Sequence, residues 1–157
     1  MIPAELTLNI WKGCSFDIEF VSQYKKYIYD PAIHDSVADH KRSYKENLEF
    51  YGFTYEFIDF LAMYDSAELR VYPSWKTKYN SSDEPIFTLT TTAKQIVFTN
   101  KSVKLHLSAK ETAALDFTQG VYGLDLTIDF PQATDVVDRL IFGDINVSGE
   151  QVRPPHV

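Results

Sequence analysis

Apolar and polar residues alternate at every second position through most of this chain, which restricts what it can fold into more than any other feature. Leu6, Leu8 and Ile10 share one face of a first strand, with Thr7 and Asn9 on the other. After the turn signal Lys12-Gly13, Phe16, Ile18 and Phe20 alternate with Asp17 and Glu19. Further runs follow at Glu68–Tyr72, closed by Pro73, and at Ile86–Thr91, opened by Pro85. Ile96–Phe98 and Val103–Leu107 flank the turn-like Asn100-Lys101-Ser102. Val121–Ile128 and Val137–Val147 are the longest runs; Pro131 separates them and Gly143 breaks the second. About eight short strands with turn signals between them predict a mainly β fold, an antiparallel β-sandwich or a small barrel. The expected core between its sheets is Leu6, Leu8, Ile10, Phe16, Ile18, Phe20, Leu69, Val71, Leu105, Leu107, Leu124, Leu126, Leu140 and Ile145.

Two stretches depart from this rhythm. Ser108–Leu115 reads as a single helical turn, with Ser108 as cap and Glu111 three residues on, the capping-box spacing. The turn is expected to carry Ala113, Ala114 and Leu115 onto the end of the sandwich. The other stretch, about 22–56, is expected to be a partly helical insertion between the second and third strands. Asp39–Leu48 has helix-compatible charge, and Tyr and Phe recur every few residues. No repeat or linker divides the 157 residues, so a single domain is expected, with a short C-terminal arm at 149–157.

Composition excludes several classes of protein. Hydrophobic residues make up 45% of the chain, too many for a disordered segment. A net charge of −7 argues against gripping nucleic acid or an anionic membrane. With Cys14 as the one cysteine, neither an intrachain disulfide nor a multi-cysteine zinc site can form. The first residues lack the basic and apolar regions of a signal peptide, and no apolar run is long enough to span a membrane. The expectation is a soluble protein made in the cytoplasm.

Signals for catalysis are weak. His34-Asp35 and Asp39-His40 supply enough ligands for a metal ion, but their spacing matches no established site and fits a solvated, charged turn better. Cys14 has no adjacent base. Asp125, Asp129, Asp135, Asp138 and Asp144 lack the tight grouping of a calcium loop. Phosphate-binding glycine loops and hydrolase motifs are absent. The expectation is therefore no enzyme, no catalytic residues, no cofactor and no metal.

Several segments resemble a family. Leu8-Asn9-Ile10-Trp11-Lys12-Gly13-Cys14-Ser15-Phe16 is similar to the opening of many small tailed-phage virion proteins. The resemblance continues through Leu105-His106-Leu107-Ser108-Ala109-Lys110-Glu111-Thr112-Ala113-Ala114-Leu115-Asp116-Phe117 and Gly120-Val121-Tyr122-Gly123-Leu124-Asp125-Leu126. It ends in Val137-Asp138-Arg139-Leu140-Ile141-Phe142-Gly143-Asp144-Ile145-Asn146-Val147-Ser148. This string looks like tail, baseplate and fibre-attachment proteins, in particular the immunoglobulin-like N-terminal domain of baseplate upper proteins. The resemblance spans residues 1–20 and about 57–150. It implies an immunoglobulin-like sandwich and a structural role in the virion, joining tail, baseplate or fibre subunits in a symmetric assembly of several copies. It carries over no catalytic residues, and it does not cover the insertion.

The insertion and the chain end are the expected contact regions, because sandwiches carry variable function on their connections. Tyr24, Tyr27, Tyr29, Tyr44 and Tyr51 are the expected anchors, since tyrosine joins apolar area to a hydrogen-bonding tip. Arg153 and Pro154 belong to an arm expected to reach a neighbouring subunit. The opposing reading folds the insertion back onto its own core. Functions of other classes are a carbohydrate-binding module using exposed Tyr and Trp11 or Trp75, a capsid decoration protein, and an enzyme with a metal centre at His34, Asp35, Asp39 and His40.

Overall fold

The structure is a computed structural model that describes residues 3–28, 40–75, 83–128 and 137–149. Two sheets enclose the core. The larger is built from β1 (Ala4–Glu5), β2 (Leu8–Trp11), β6 (Tyr64–Pro73), β7 (Phe87–Thr90), β10 (Gln119–Ile128) and β11 (Val137–Ser148). Its order is β1-β11-β10-β6-β7, with β2 following β1 along the same side of β11. The smaller sheet is β3 (Phe16–Val21), β9 (Ser102–Leu107) and β8 (Ile96–Phe98), in the order β3-β9-β8. The chain crosses between the sheets after β2, β3, β7 and β9, so the two sheets form a β-sandwich.

The alternating residues account for the core. Leu8, Ile10, Leu69, Val71, Leu89, Tyr122, Leu124, Leu126, Ile145 and Val147 face inward from the larger sheet; Phe20, Ile96, Val103, Leu105 and Leu107 meet them from the smaller. Phe16 and Ile18, expected to be largely buried, are half-buried and pack against the edge of this cluster, since β3 is an edge strand. Leu140 and Ile141 are buried in succession because Leu140 is the extra residue of a bulge: Leu124 faces Ile141, but Asp125 faces Arg139.

Two expectations are corrected at the first strand. It pairs parallel to β11, not antiparallel, and it is interrupted: Ala4–Glu5 and Leu8–Trp11 share one register against β11 with a break between them. Leu6 lies in the break and is 39% exposed rather than core. The cause is Gly143, which faces the break at φ 153°. The Leu6 carbonyl occupies the space that a side chain at 143 would need. Turning that carbonyl inward turns the leucine side chain out.

The helical turn at 108 forms as α3 (Ala109–Ala113), with Ser108 Oγ accepting from the Glu111 N–H and Glu111 accepting from the Ser108 N–H. The residues it buries differ from expectation: Thr112 and Leu115 are buried, whereas Ala113 and Ala114 face solvent. Thr112 Oγ1 accepts from the Gly13 N–H at 3.1 Å and lies 2.7 Å from the Cys14 carbonyl oxygen, tying α3 to the β2–β3 turn.

Candidate interaction surface

The connection from β3 to β6 holds α1 (Tyr44–Tyr51), the strand pair β4 (Gln23–Tyr27) and β5 (Phe53–Phe57), and the short α2 (Phe60–Met63). The helix is expected here; the antiparallel ribbon of β4 and β5 is not, although Phe53-Thr54-Tyr55-Glu56-Phe57 alternates with period two. Helix α1 begins at Ser43 in a second capping box, with Glu46, and ends at Gly52, whose φ of 78° turns the chain into β5. The insertion leaves and returns at one point, where the Ile58 N–H donates to the Ser22 carbonyl at 2.9 Å.

Beyond that neck the insertion packs on itself. Among the described residues, none from 23–28 or 40–57 joins the sandwich core. Tyr27 meets Tyr44 at 5.8 Å and stacks on Tyr51 at 5.7 Å between ring centroids. Arg42 organises the other side of the helix. Its guanidinium carbon is 4.1 Å from the Phe50 ring centroid, Nε donates to Asn47 Oδ1 at 2.9 Å, and Nη2 donates to the Tyr51 hydroxyl at 2.8 Å. Asn47 is buried.

The two ribbon faces differ. One carries Tyr24, Lys26, Thr54 and Glu56. There the Tyr24 hydroxyl donates to Glu56 at 2.9 Å, and Lys26 pairs with the same carboxylate at 3.3 Å. The Tyr24 hydroxyl and then the Lys26 ammonium hold the Glu56 carboxyl below its usual pKa. The carboxylate in turn raises the Tyr24 phenol. The other face carries Phe53, Tyr55 and Phe57 in a row beside Lys25, whose Nζ lies 4.5 Å from the Phe53 ring centroid. This row is exposed, Tyr55 at 57%, and Phe50 on the helix is 66% exposed.

The anchors expected from sequence are therefore divided. Tyr27, Tyr44 and Tyr51 come together in one ring cluster, and Tyr24 sits apart on the polar face. Tyr29, Arg153 and Pro154 lie outside the described residues. The apolar surface offered outward is Phe50, Phe53, Tyr55 and Phe57, which the alternation of β5 signals in the sequence. Gly149 follows Ser148 beside Trp11 at the end of the sandwich opposite the insertion, and the rest of the expected arm, 150–157, lies outside the described residues.

Of the metal-like cluster, His34, Asp35 and Asp39 lie outside the described residues, and His40 is exposed. Among the described residues no three His, Cys, Asp or Glu side chains converge. Of the aspartates, Asp129 and Asp135 lie outside the described residues; Asp125 holds Arg139 through two hydrogen bonds, and Asp138 accepts from the Tyr64 hydroxyl at 2.9 Å. No helix among the described residues is long and apolar enough to cross a membrane. No protein-family model matches the chain, and no curated protein matches it in sequence.

Proposed function

We propose that this chain is a structural and assembly protein of a tailed-phage virion, joining tail, baseplate or fibre subunits through the ribbon and helix inserted between β3 and β6. The observation that carries this reading is the row Phe53, Tyr55 and Phe57 on the ribbon, together with Phe50 on the helix: large apolar side chains held outward on a unit whose described residues 23–28 and 40–57 lie outside the sandwich core. Contiguous exposed aromatics of this kind mark protein–protein contact sites. The resemblance of residues 1–20 and 57–150 to virion proteins supplies the class of assembly, and the insertion supplies the specialised contact. On this reading the partners are other virion proteins, the chain is present in several symmetry-related copies, and it is made in the host cytoplasm and carried in the particle.

The neck between Ser22 and Ile58 allows a clean test, because its ends are already hydrogen-bonded. Residues 23–57 are replaced by a short glycine-serine bridge. The shortened chain is expected to keep a cooperative β-type unfolding transition and to be missing from particles purified from cells that supply it as the sole copy. Unfolding of the shortened chain, or its normal incorporation, overturns the reading.

A further inference from the structure

The main-chain groups of β5 divide by period two, as its side chains do. At one end of the ribbon the Ile28 N–H donates to the Gly52 carbonyl at 3.1 Å, and at the other the Ile58 N–H donates to the Ser22 carbonyl at 2.9 Å. Hydrogen-bonded pairs in an antiparallel ladder recur at every second residue, so Thr54 and Glu56 between these ends also turn their main-chain groups toward β4. Phe53, Tyr55 and Phe57 turn theirs the other way. Among the described residues no strand pairs with that edge of β5. Helix α1 packs against β4, with Tyr44 and Tyr51 on Tyr27. The three residues whose N–H and C=O groups point to the unpaired edge are the same three whose rings are exposed. Such an edge is a template for a further strand.

We infer that β5 pairs antiparallel with β5 of a second copy of this chain across a two-fold axis at Tyr55, joining the two ribbons into one four-stranded sheet; the inference rests on the ribbon being an assembly surface, as proposed above, and names its partner. The strand is its own complement in this register. Phe53 faces Phe57 of the second copy, Tyr55 faces Tyr55, and all three outward-turned residues enter hydrogen-bonded pairs. Aromatic pairs opposed in this way stabilise a sheet. On the other face Thr54 meets Glu56, the one charge of β5, which Lys26 already neutralises at 3.3 Å. A slip that set Tyr55 against Phe57 would oppose the two Glu56 carboxylates, and the opposite slip would leave Phe57 without a strand partner. Antiparallel pairing also places the two necks, and the sandwiches behind them, at opposite ends of the joined ribbons, whereas parallel pairing would crowd both sandwiches at one end. The half-exposed rings offer roughly 600 Å² across the pair, below the roughly 1,200 Å² of the smaller stable complexes, so the contact is reversible for an isolated pair.

Sedimentation of the full chain from about 1 μM to 1 mM is expected to show a reversible monomer–dimer equilibrium. Tyr55→Pro removes an N–H that the ribbon itself does not use, and is expected to keep the parental melting point and leave the chain monomeric. Cysteine cross-linking reads the register, in a Cys14→Ser background that removes the exposed native thiol. Hydrogen-bonded residues on paired strands lie about 5.5 Å apart between Cα atoms, within reach of a disulfide. Tyr55→Cys is therefore expected to oxidise to a covalent dimer by itself, whereas Phe53→Cys and Phe57→Cys do so only when mixed. A monomer at every concentration, a dimer undiminished by Tyr55→Pro or by loss of 23–57, or cross-linking in another register overturns the inference. Particle incorporation separates the pairing from the surface it rests on. If the chain is monomeric and loss of 23–57 still keeps it out of particles, a different virion protein is the occupant: the pairing falls and the assembly surface stands. If the chain dimerises through Tyr55 and the shortened chain enters particles normally, the pairing stands and the assembly reading falls.

Discussion

The Tyr122 hydroxyl donates to the backbone carbonyl oxygen of Leu6 at 2.7 Å. Between them in the sheet lies Gly143, which faces Tyr122 and has no side chain to obstruct the contact. The three residues join β10, β11 and the first segment of the chain, and this contact interrupts the N-terminal strand. The Leu6 N–H still donates to the Phe142 carbonyl at 2.9 Å, so the segment keeps its register through the break.

Tyr122→Phe removes the donor and leaves a turned-in carbonyl unpaired, for an expected loss of about 1–3 kcal/mol. Gly143→Ala forces a Cβ into the same carbonyl at a φ that other residues avoid, for a loss of about 1–3 kcal/mol. Both changes act on Leu6, so the double variant is expected to lose less than the sum, by about 0.5 kcal/mol or more. Denaturant unfolding of the three variants measures this, and strict additivity would refute the shared contact.

Thr112 makes a sharper claim about the helical turn than its cap does. Thr112→Val keeps the shape but strands the Gly13 N–H and the Cys14 carbonyl, an expected cost of about 1–3 kcal/mol. Ser108→Ala removes one cap acceptor, an expected cost of about 1 kcal/mol. The melting point is expected to fall for both and further for Thr112→Val; the reverse order would show that the cap, not the tie to the β2–β3 turn, holds α3.

Alkaline pH is expected to unfold the sandwich through its buried tyrosines. Burial first, and then the hydrogen bond to the Asp138 carboxylate, push the Tyr64 phenol up to about 12. Burial alone raises Tyr122 in the same direction. A folded-state pKa above the unfolded value near 10 favours the neutral phenol, so the stabilisation is complete below about pH 10 and is lost as pH rises toward 12. Denaturant midpoints taken between about pH 9 and 12 are expected to fall less steeply for Tyr64→Phe than for the parent. Equal slopes would mean that Tyr64 does not contribute.

Arg42→Ala is expected to loosen the insertion without touching the sandwich. It removes the ring contact to Phe50 and the donors to Asn47 and Tyr51, about 1–2 kcal/mol of local stability. Amide protons of 44–57 then exchange faster while those of β6 and β10 keep their protection. Arg42→Lys does not restore protection, because an ammonium cannot hold both oxygens and cover the ring. Faster exchange in β10 would show that the insertion supports the core after all.

The sequence by itself determined the strands, the two-sheet core and the capped turn at Ser108, because each depends on neighbours in the chain: period-two burial for the strands, a three-residue spacing for the cap. Ser43 and Glu46 show the same spacing, so the start of α1 was equally legible. Tertiary structure alone decided what depends on groups distant in sequence. Leu6 has the pattern of a core residue, yet Gly143 and Tyr122, more than a hundred residues away, draw its carbonyl inward and its side chain out. The tyrosines of the insertion look alike in sequence, yet pairing of β4 with β5 assigns Tyr24 to a polar face and Tyr27 to a ring cluster, leaving Phe53, Tyr55 and Phe57 outermost. Asn9, Asn146 and Gln119 come into one polar row only because β2, β11 and β10 lie side by side, a neighbourhood set by long-range strand pairing that local alternation does not encode.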